Sequence, residues 1–264
     1  MPERVMSLNL CTDILALSLA ETQQLISVST IAADPVSSPV AEQALAYQLN
    51  HARLEEILAL RPDLVLASVF TAPEKLAVLE QAGIRVERFG YASNFADIRE
   101  QIKQMGEALG QQTKAAAQIE DIDATIIALQ KGRNSAAKPL TAILYEPNGF
   151  TSGGGTLADE TLRLLGVTNL GAENSSFASG RVGLEALVQL HPDLIIVPEF
   201  YNKPALAYQN YTHPVMGFLT GTNGKNLQQV SIPMRYWSCG SVYTLEAAKL
   251  LKAAINAQES NHAR

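Results

Sequence analysis

Cysteine is almost missing from this chain: Cys11 and Cys239 are the only two in 264 residues. Two cysteines so far apart fit neither a zinc ribbon nor the disulfide framework of a small secreted domain. Histidine is equally thin, with His51, His191, His213 and His262. A carrier of bare zinc or manganese needs three or four His and carboxylate ligands converging on one point, so that cargo is disfavoured. Aromatics make up 6% of the residues, with Trp237 the sole tryptophan. No block of Lys and Arg stands out and the formal net charge is −6, which leaves no electrostatic footprint for nucleic acid. No apolar run reaches the roughly 18 residues that span a bilayer. A Walker lysine, a Gly-x-Ser-x-Gly elbow and a His-Glu-x-x-His pair are all lacking.

What remains is an ordinary globular composition, 47% hydrophobic and 17% charged, with mean hydropathy +0.04, which excludes disorder and fibre. The length accommodates two domains of common size. The charged start Met1-Pro2-Glu3-Arg4 runs straight into strand-like Val5 to Leu8, so the signal peptide of an exported protein is expected to be missing from the sequence. Cys11 follows that short start rather than a long apolar segment, which argues for a structural role over lipidation.

The pattern alternates strand and helix in both the first and the last third, as an α/β layer requires. In the first third, Thr12-Asp13 is expected to open a helix through Ala20, and helix Leu54 to Leu60 leads through Arg61-Pro62-Asp63 into strand Leu64 to Ala67. Thr71, Pro73 and Gly83 then frame a helix as cap, first turn and stop, followed by strand Val86 to Phe89. The last third gives strand Ala142 to Tyr145, helix Thr156 to Leu165 stopped by Gly166, helix Leu184 to Leu190, strand Leu194 to Val197 and a closing helix from about Ser241 to Ala257. Between them, Gln111 to Gln130 carries Ile119, Ile122, Ile126 and Leu129 as one apolar stripe, on a helix of roughly 30 Å, ended by Gly132 and Pro139. By itself this reads equally as a surface helix or as a connector.

An internal repeat favours the connector. Leu54-Glu55-Glu56-Ile57-Leu58-Ala59-Leu60-Arg61-Pro62-Asp63-Leu64-Val65-Leu66 aligns with Leu184-Glu185-Ala186-Leu187-Val188-Gln189-Leu190-His191-Pro192-Asp193-Leu194-Ile195-Ile196, with six of thirteen positions identical. The copies flank the long helix and each leads into an apolar strand. The expected fold is α/β, two Rossmann-like lobes joined by one long α-helix: lobe 1–110, connecting helix 111–134, lobe 135–264. Glu55 and Glu185 occupy the same first-turn place in the two copies, where a carboxylate also complements the helix dipole with no further function.

The chain resembles the periplasmic solute-binding proteins of the ferric siderophore and cobalamin importers. The resemblance rests on the two Leu-Glu…Pro-Asp-Leu segments, on Phe150-Thr151-Ser152-Gly153 after the first strand of the second lobe, and on Ser7-Leu8-Asn9. It implies a periplasmic, monomeric, non-enzymatic carrier that hands a metal chelate to an inner-membrane ABC permease with its ATPase subunits. Glu55 and Glu185 would dock on permease arginines. The ligand, a ferric siderophore or a corrinoid held without covalent attachment, would sit between the lobes, and the stiff helix would keep lobe closure small. The loops expected to line the site are Asp34 to Ser38, Ser68 to Thr71, Asn148 to Ser152, Phe177 to Arg181 and Arg235 to Trp237; the candidates are Ser37, Phe70, Asn148, Phe150, Arg181, Arg235, Tyr236 and Trp237. The aromatics offer flat apolar faces and the arginines charge for an anionic chelate, while ordinary packing is the commoner explanation for any single one of them, less so for Trp237 in its glycine-ended loop. A disulfide between Cys11 and Cys239 is not expected, because it would pin the two lobes together.

Two alternatives stay open. Haem needs a single Tyr ligand, and Tyr145, Tyr201, Tyr208, Tyr211, Tyr236 and Tyr243 are available. Gly153-Gly154-Gly155-Thr156-Leu157-Ala158 matches Gly-x-Gly-x-x-Ala, with Glu173 further on, but Glu146 to Ser152 separate it from its strand, so it reads equally as a turn and helix cap.

Overall fold

A computed structural model describes residues 1–131, 139–173, 180–199, 206–220 and 228–262. The chain divides into two compact units, Met1–Ala124 with Arg235–Thr244, and Thr125–Met234 with Leu245–Arg264.

The first unit runs β1 (Val5–Ser7), α1 (Leu10–Leu19), β2 (Leu25–Ser29), α2 (Ala41–Ala44), β3 (Gln48–Asn50), α3 (Leu54–Leu60), β4 (Leu64–Ser68), α4 (Pro73–Gln81), β5 (Arg85–Phe89) and α5 (Phe95–Leu109). Its strands form one parallel sheet in the order β3-β2-β1-β4-β5. The chain winds outward from β1 on one side and from β4 on the other, so the winding reverses between them. Met6, Leu8, Val65 and Ala67 pack with Ile57, Leu76 and Leu79 of the covering helices as one buried cluster.

Helix α1 starts earlier than Thr12-Asp13 suggests, because Asn9 is the cap and accepts from the Cys11 and Thr12 N–H groups. Thr12 and Asp13 turn inward instead. Thr12 Oγ1 meets Ser7 Oγ at 2.7 Å, the Asp13 carboxyl accepts from the N–H and hydroxyl of Ser29, and Asn50 Nδ2 donates to Ser7 O and Ser27 Oγ. Ahead of α4 the cap is Ala72, with no side-chain bond, while Pro73 takes the first turn as expected. The amphipathic α5, capped by Asn94 and stopped by Gly110, had no place among the expected elements.

Helix α6 (Gln112–Gln130) carries the chain from one unit into the other, the division falling between Ala124 and Thr125. Of the predicted stripe, Ile122 and Leu129 are buried and Ile119 and Ile126 half-buried. In the first unit Lys114 pairs with Glu21 and Arg99 with Asp123. In the second, Lys252 Nζ donates to the carbonyls of Ala128, Leu129 and Lys131, satisfying the open end of the helix. Gly132, expected as the stop, lies outside the described residues.

The second unit runs β6 (Thr141–Leu144), α7 (Leu157–Leu165), β7 (Thr168–Asn169), α8 (Leu170–Glu173), α9 (Leu184–Leu190), β8 (Leu194–Pro198), α10 (Gln209–Thr212), α11 (Pro214–Thr220), β9 (Gln228–Ile232) and α12 (Thr244–His262). Its parallel sheet has the order β7-β6-β8-β9, reversing between β6 and β8.

The repeat seen in the sequence holds at atomic level. Arg61 and His191 both leave their helices in the left-handed conformation, φ 46° in each. Asp63 then accepts from the N–H groups of Glu3 and Arg4 and donates its own N–H to Arg4 O. Asp193 accepts from the N–H and hydroxyl of Thr141 and donates its N–H to Thr141 O. Each aspartate thereby fastens the start of its unit's first strand to the strand beyond the reversal. The Asp63 bonds are exposed and water can replace them, whereas those of Asp193 are part-buried; we expect D63A to cost about 0.5–1.5 kcal/mol and D193A about 1–3 kcal/mol in denaturant unfolding.

Burial pushes the Asp13 carboxyl up to about 6, against smaller opposing bonds from Ser29 and Ser7. The folded protein therefore holds a proton that the unfolded chain releases near pH 4, and the stability this provides is present below that pH and lost as pH rises to about 6. Relative to D13N, which cannot ionise, wild type should lose up to roughly 3 kcal/mol between pH 4 and 7; parallel pH curves for the two would refute the assignment.

Candidate functional site

In open parallel sheets, ligands bind outside the carboxyl ends of the strands, where the winding reverses. In the first unit that place lies between the loop after β1 (Leu8, Asn9) and the loop after β4 (Val69 to Thr71). Asn9 spends its side-chain oxygen on the α1 cap, and its Nδ2 is buried with no acceptor among the described residues. Phe70 is 80% exposed, and on the neighbouring strand end Tyr91 is 61% exposed. Two large aromatics facing water beside a reversal point are what a flat apolar ligand face would cover.

The loop after β2 holds Ser37, whose hydroxyl donates to Asp34 Oδ2 at 2.6 Å; that bond, with backbone N–H groups, keeps the Asp34 carboxyl below the usual range. Ser37 is thus committed to shaping its loop. Arg235 reaches the same loop, donating Nη1 to Pro35 O at 3.4 Å, and its guanidinium lies 5.2 Å from the ring centre of Tyr236. Trp237 is half-buried next in sequence.

These contacts correct two expectations. Residues Arg235–Thr244 belong with the first unit, not with the lobe assigned to 135–264. Cys11 and Cys239 are bonded, with Cα atoms 5.2 Å apart. Because Cys239 lies in the segment that returns to the first unit, the bond stays within one unit and the objection to it disappears.

In the second unit the reversal point lies between Tyr145 to Phe150, after β6, and Glu199, after β8. Phe150 and Arg181 form an antiparallel bridge, with Thr151 N–H donating to Gly180 O and Val182 N–H to Gly149 O. The Arg181 guanidinium stacks 4.4 Å over the Phe150 ring, so two of the predicted site residues form one exposed cationic and aromatic surface. Asn148 stands beside them, exposed and left-handed at φ 60°. Glu146 went unnoticed in the sequence: half-buried at this strand end, its carboxyl is raised by desolvation, as functional carboxylates often are. The only signal was an acid directly after an apolar strand.

Among the tyrosines proposed for haem, Tyr145 is fully buried. Tyr211 donates its hydroxyl to Tyr145 O at 2.7 Å and stacks edge-on against its ring. Both serve the core beneath the loop. Tyr201 and Phe177 lie outside the described residues. At the glycine-rich turn, Thr156 caps α7 by accepting from Asp159 N–H, and the Asp159 carboxylate accepts from Gly155 N–H. The chain's own residues use the groups that a pyrophosphate would need, so the cap reading fits better than the dinucleotide one.

Glu55 and Glu185 are both exposed in the first turns of α3 and α9. Their neighbours differ. Glu56 folds back to accept from the N–H groups of His51 and Arg53 and meets His51 Nδ1 at 3.0 Å, and its carboxyl is lowered first by the His51 backbone bond. The matching position in α9 is Ala186, after Gly183 as cap.

A sequence profile described as "Periplasmic binding protein" matches residues 5–207. The chain belongs to that family. This binding protein is 24% identical over 206 residues to an uncharacterized ABC transporter substrate-binding lipoprotein, YvrC, of Bacillus subtilis, a match covering 75% of the chain and 64% of the relative; it thus spans less than two thirds of that relative's length. Its fold is shared with a periplasmic solute-binding protein of Staphylococcus epidermidis described as possibly iron-binding, at TM-score 0.76, 18% identity and coverage of 96% and 98% of the two chains. It is shared as well with the periplasmic vitamin B12-binding protein BtuF of Vibrio cholerae, at TM-score 0.71, 19% identity and 98% coverage of both. Both sheets, α6 and the repeat are therefore features of this binding protein's fold.

The Phe150–Arg181 surface depends on Gly149, at φ 75°, where an added Cβ would stand 2.7 Å from Val182 O. Gly149→Ala should destabilise the protein by about 1–3 kcal/mol in chemical denaturation; an unchanged midpoint would show that the loop does not need this backbone approach.

Proposed function

We propose that this protein is the extracytoplasmic substrate-binding component of an ABC importer. On this reading it captures a metal chelate, a ferric siderophore or cobalamin-like corrinoid, on the loops at the carboxyl ends of its two sheets and delivers it to an inner-membrane permease served by ATPase subunits. Membership of the periplasmic binding protein family supports the carrier role over an enzymatic one. The observation that carries the reading most is the duplicated α3–β4 and α9–β8 segment, which sets Glu55 and Glu185 at equivalent exposed positions, one per unit. Exposed carboxylates facing guanidinium groups give orientation and on-rate more than affinity, which suits a carrier that must dock and let go. The chelate would lie against Phe70, Phe150 and Trp237, with Arg181 and Arg235 facing its anionic groups. Asn148, Tyr236 and the loop shaped by Ser37 would complete its surroundings. The protein is expected to act as a monomer in the periplasm.

Trp237 fluorescence titrated with cobalamin, a ferric hydroxamate, haem and NAD tests the cargo. Quenching by cobalamin or the ferric chelate is expected, and quenching by NAD alone would overturn the proposal. The double variant E55A/E185A should abolish uptake by cells while leaving chelate affinity unchanged; lost affinity would remove both glutamates from the docking role. Arg181→Ala should weaken an anionic chelate about tenfold, or about 1.4 kcal/mol.

A further inference from the structure

Residues Arg235–Thr244 reach the first unit from β9 of the second and leave it again through α12. Their contacts cross the carboxyl edge of the first sheet from one side to the other. Arg235 Nη1 bonds Pro35 O in the loop after β2. Cys239 is bonded to Cys11, in the first turn of the helix that follows β1. Gly240 lies against the loop after β5, so close that an added Cβ would come within 2.3 Å of Ala92 Cβ and 3.1 Å of Ile98 Cγ1. Of these three contacts, the outer two are an exposed hydrogen bond and a van der Waals contact, and the middle one is covalent.

We propose that the Cys11–Cys239 disulfide positions this strap, so that Arg235, Tyr236 and Trp237 are presented to the chelate in the oxidised protein and lost to it on reduction. The proposal rests on the chelate-binding reading given above. It makes capture conditional on an oxidising compartment, since structural disulfides persist there and not among reducing thiol pools. The residue pair acts through the strap and touches no ligand itself.

Reduction by a dithiol is chemically open. Cys239 is 4% exposed, whereas Cys11 is partly exposed, so the reductant's thiolate attacks Cys11 Sγ first. The S–S bond breaks, Cys239 leaves as a thiolate and takes up a proton, and the reductant's second thiol closes on the mixed disulfide to release Cys11. Two electrons pass to the protein, which ends with two thiols. The fold should survive this, because the buried cluster around β1 and β4 contains neither cysteine nor strap residue.

The test compares oxidised protein, dithiothreitol-treated protein and C11A/C239A by amide hydrogen exchange and by titration with cyanocobalamin and a ferric hydroxamate. Both reduced forms should exchange the amides of 235–243 at least about tenfold faster, with β4 and β5 unchanged. Apparent Kd should rise about tenfold, because affinity scales with the fraction of molecules whose strap is in place. Unchanged exchange in the strap overturns the proposal, and so does faster exchange with unchanged Kd. If oxidised protein binds neither probe, the chelate reading fails and the ligand half of this proposal with it, while the exchange comparison alone still decides whether the bond orders the strap.

Discussion

Two aspartates, Asp63 and Asp193, fasten the architecture of their units. A parallel strand pair cannot be closed by a short turn, and its partners lie far apart along the chain. In each unit the pair at the reversal point, β1 with β4 and β6 with β8, is tied at its start by a carboxylate that accepts N–H groups at or just ahead of the first strand. With the pair tied there, the loops after those strands leave the sheet side by side. Each unit's reversal point becomes a place where side chains are displayed rather than buried, Phe70 in the first unit and Asn148 and Phe150 in the second.

The polar groups under the first sheet follow from the same arrangement. Asp13, Ser7, Ser27, Ser29 and Asn50 bond one another at the carboxyl ends of β1, β2 and β3, where β1 and β2 pass into turns and backbone groups turn away from the ladder. Satisfying them with buried side chains keeps water out from below and leaves the outer surface to be built by loops. In the second unit Asn169, at the end of β7, donates to Ser152 O and the Asp159 carboxylate, while Tyr145 fills the core under its loop and takes the Tyr211 hydroxyl on its carbonyl. The two units share a plan but differ in what stands at their strand ends: the first carries the Cys11–Cys239 bond and the second a stacked Arg181–Phe150 pair.

Periodicity and punctuation made the element order legible, because each rests on interactions within a few residues. Helix α3, helix α9 and their strands coincide with the predicted segments almost residue for residue. The stripe on α6 was readable for the same reason, as were Pro73 in the first turn of α4 and Gly166 after α7. Where two local signals competed, the structure chose between them. Asn9 displaced Thr12-Asp13 as the cap of α1 because their side chains found buried partners on β1 and β2, and the Asp13–Ser29 pairing joins residues 16 positions apart. Glu146 was invisible for a similar reason, since its burial comes from what packs over it.

The sequence by itself determined the two α/β units, the helix that passes between them and the equivalence of Glu55 with Glu185, all of which follow from local pattern and its repetition. Only the tertiary structure decided that Cys11 and Cys239 meet, that Arg235–Thr244 returns to the first unit and that Arg181 stacks on Phe150. These are contacts between residues about 30 to more than 200 positions apart, and loop closure over such spans leaves no periodic trace in the chain. Position along a sequence says where a segment begins and ends; which sheet edge it finally lies on depends on the packing of everything between.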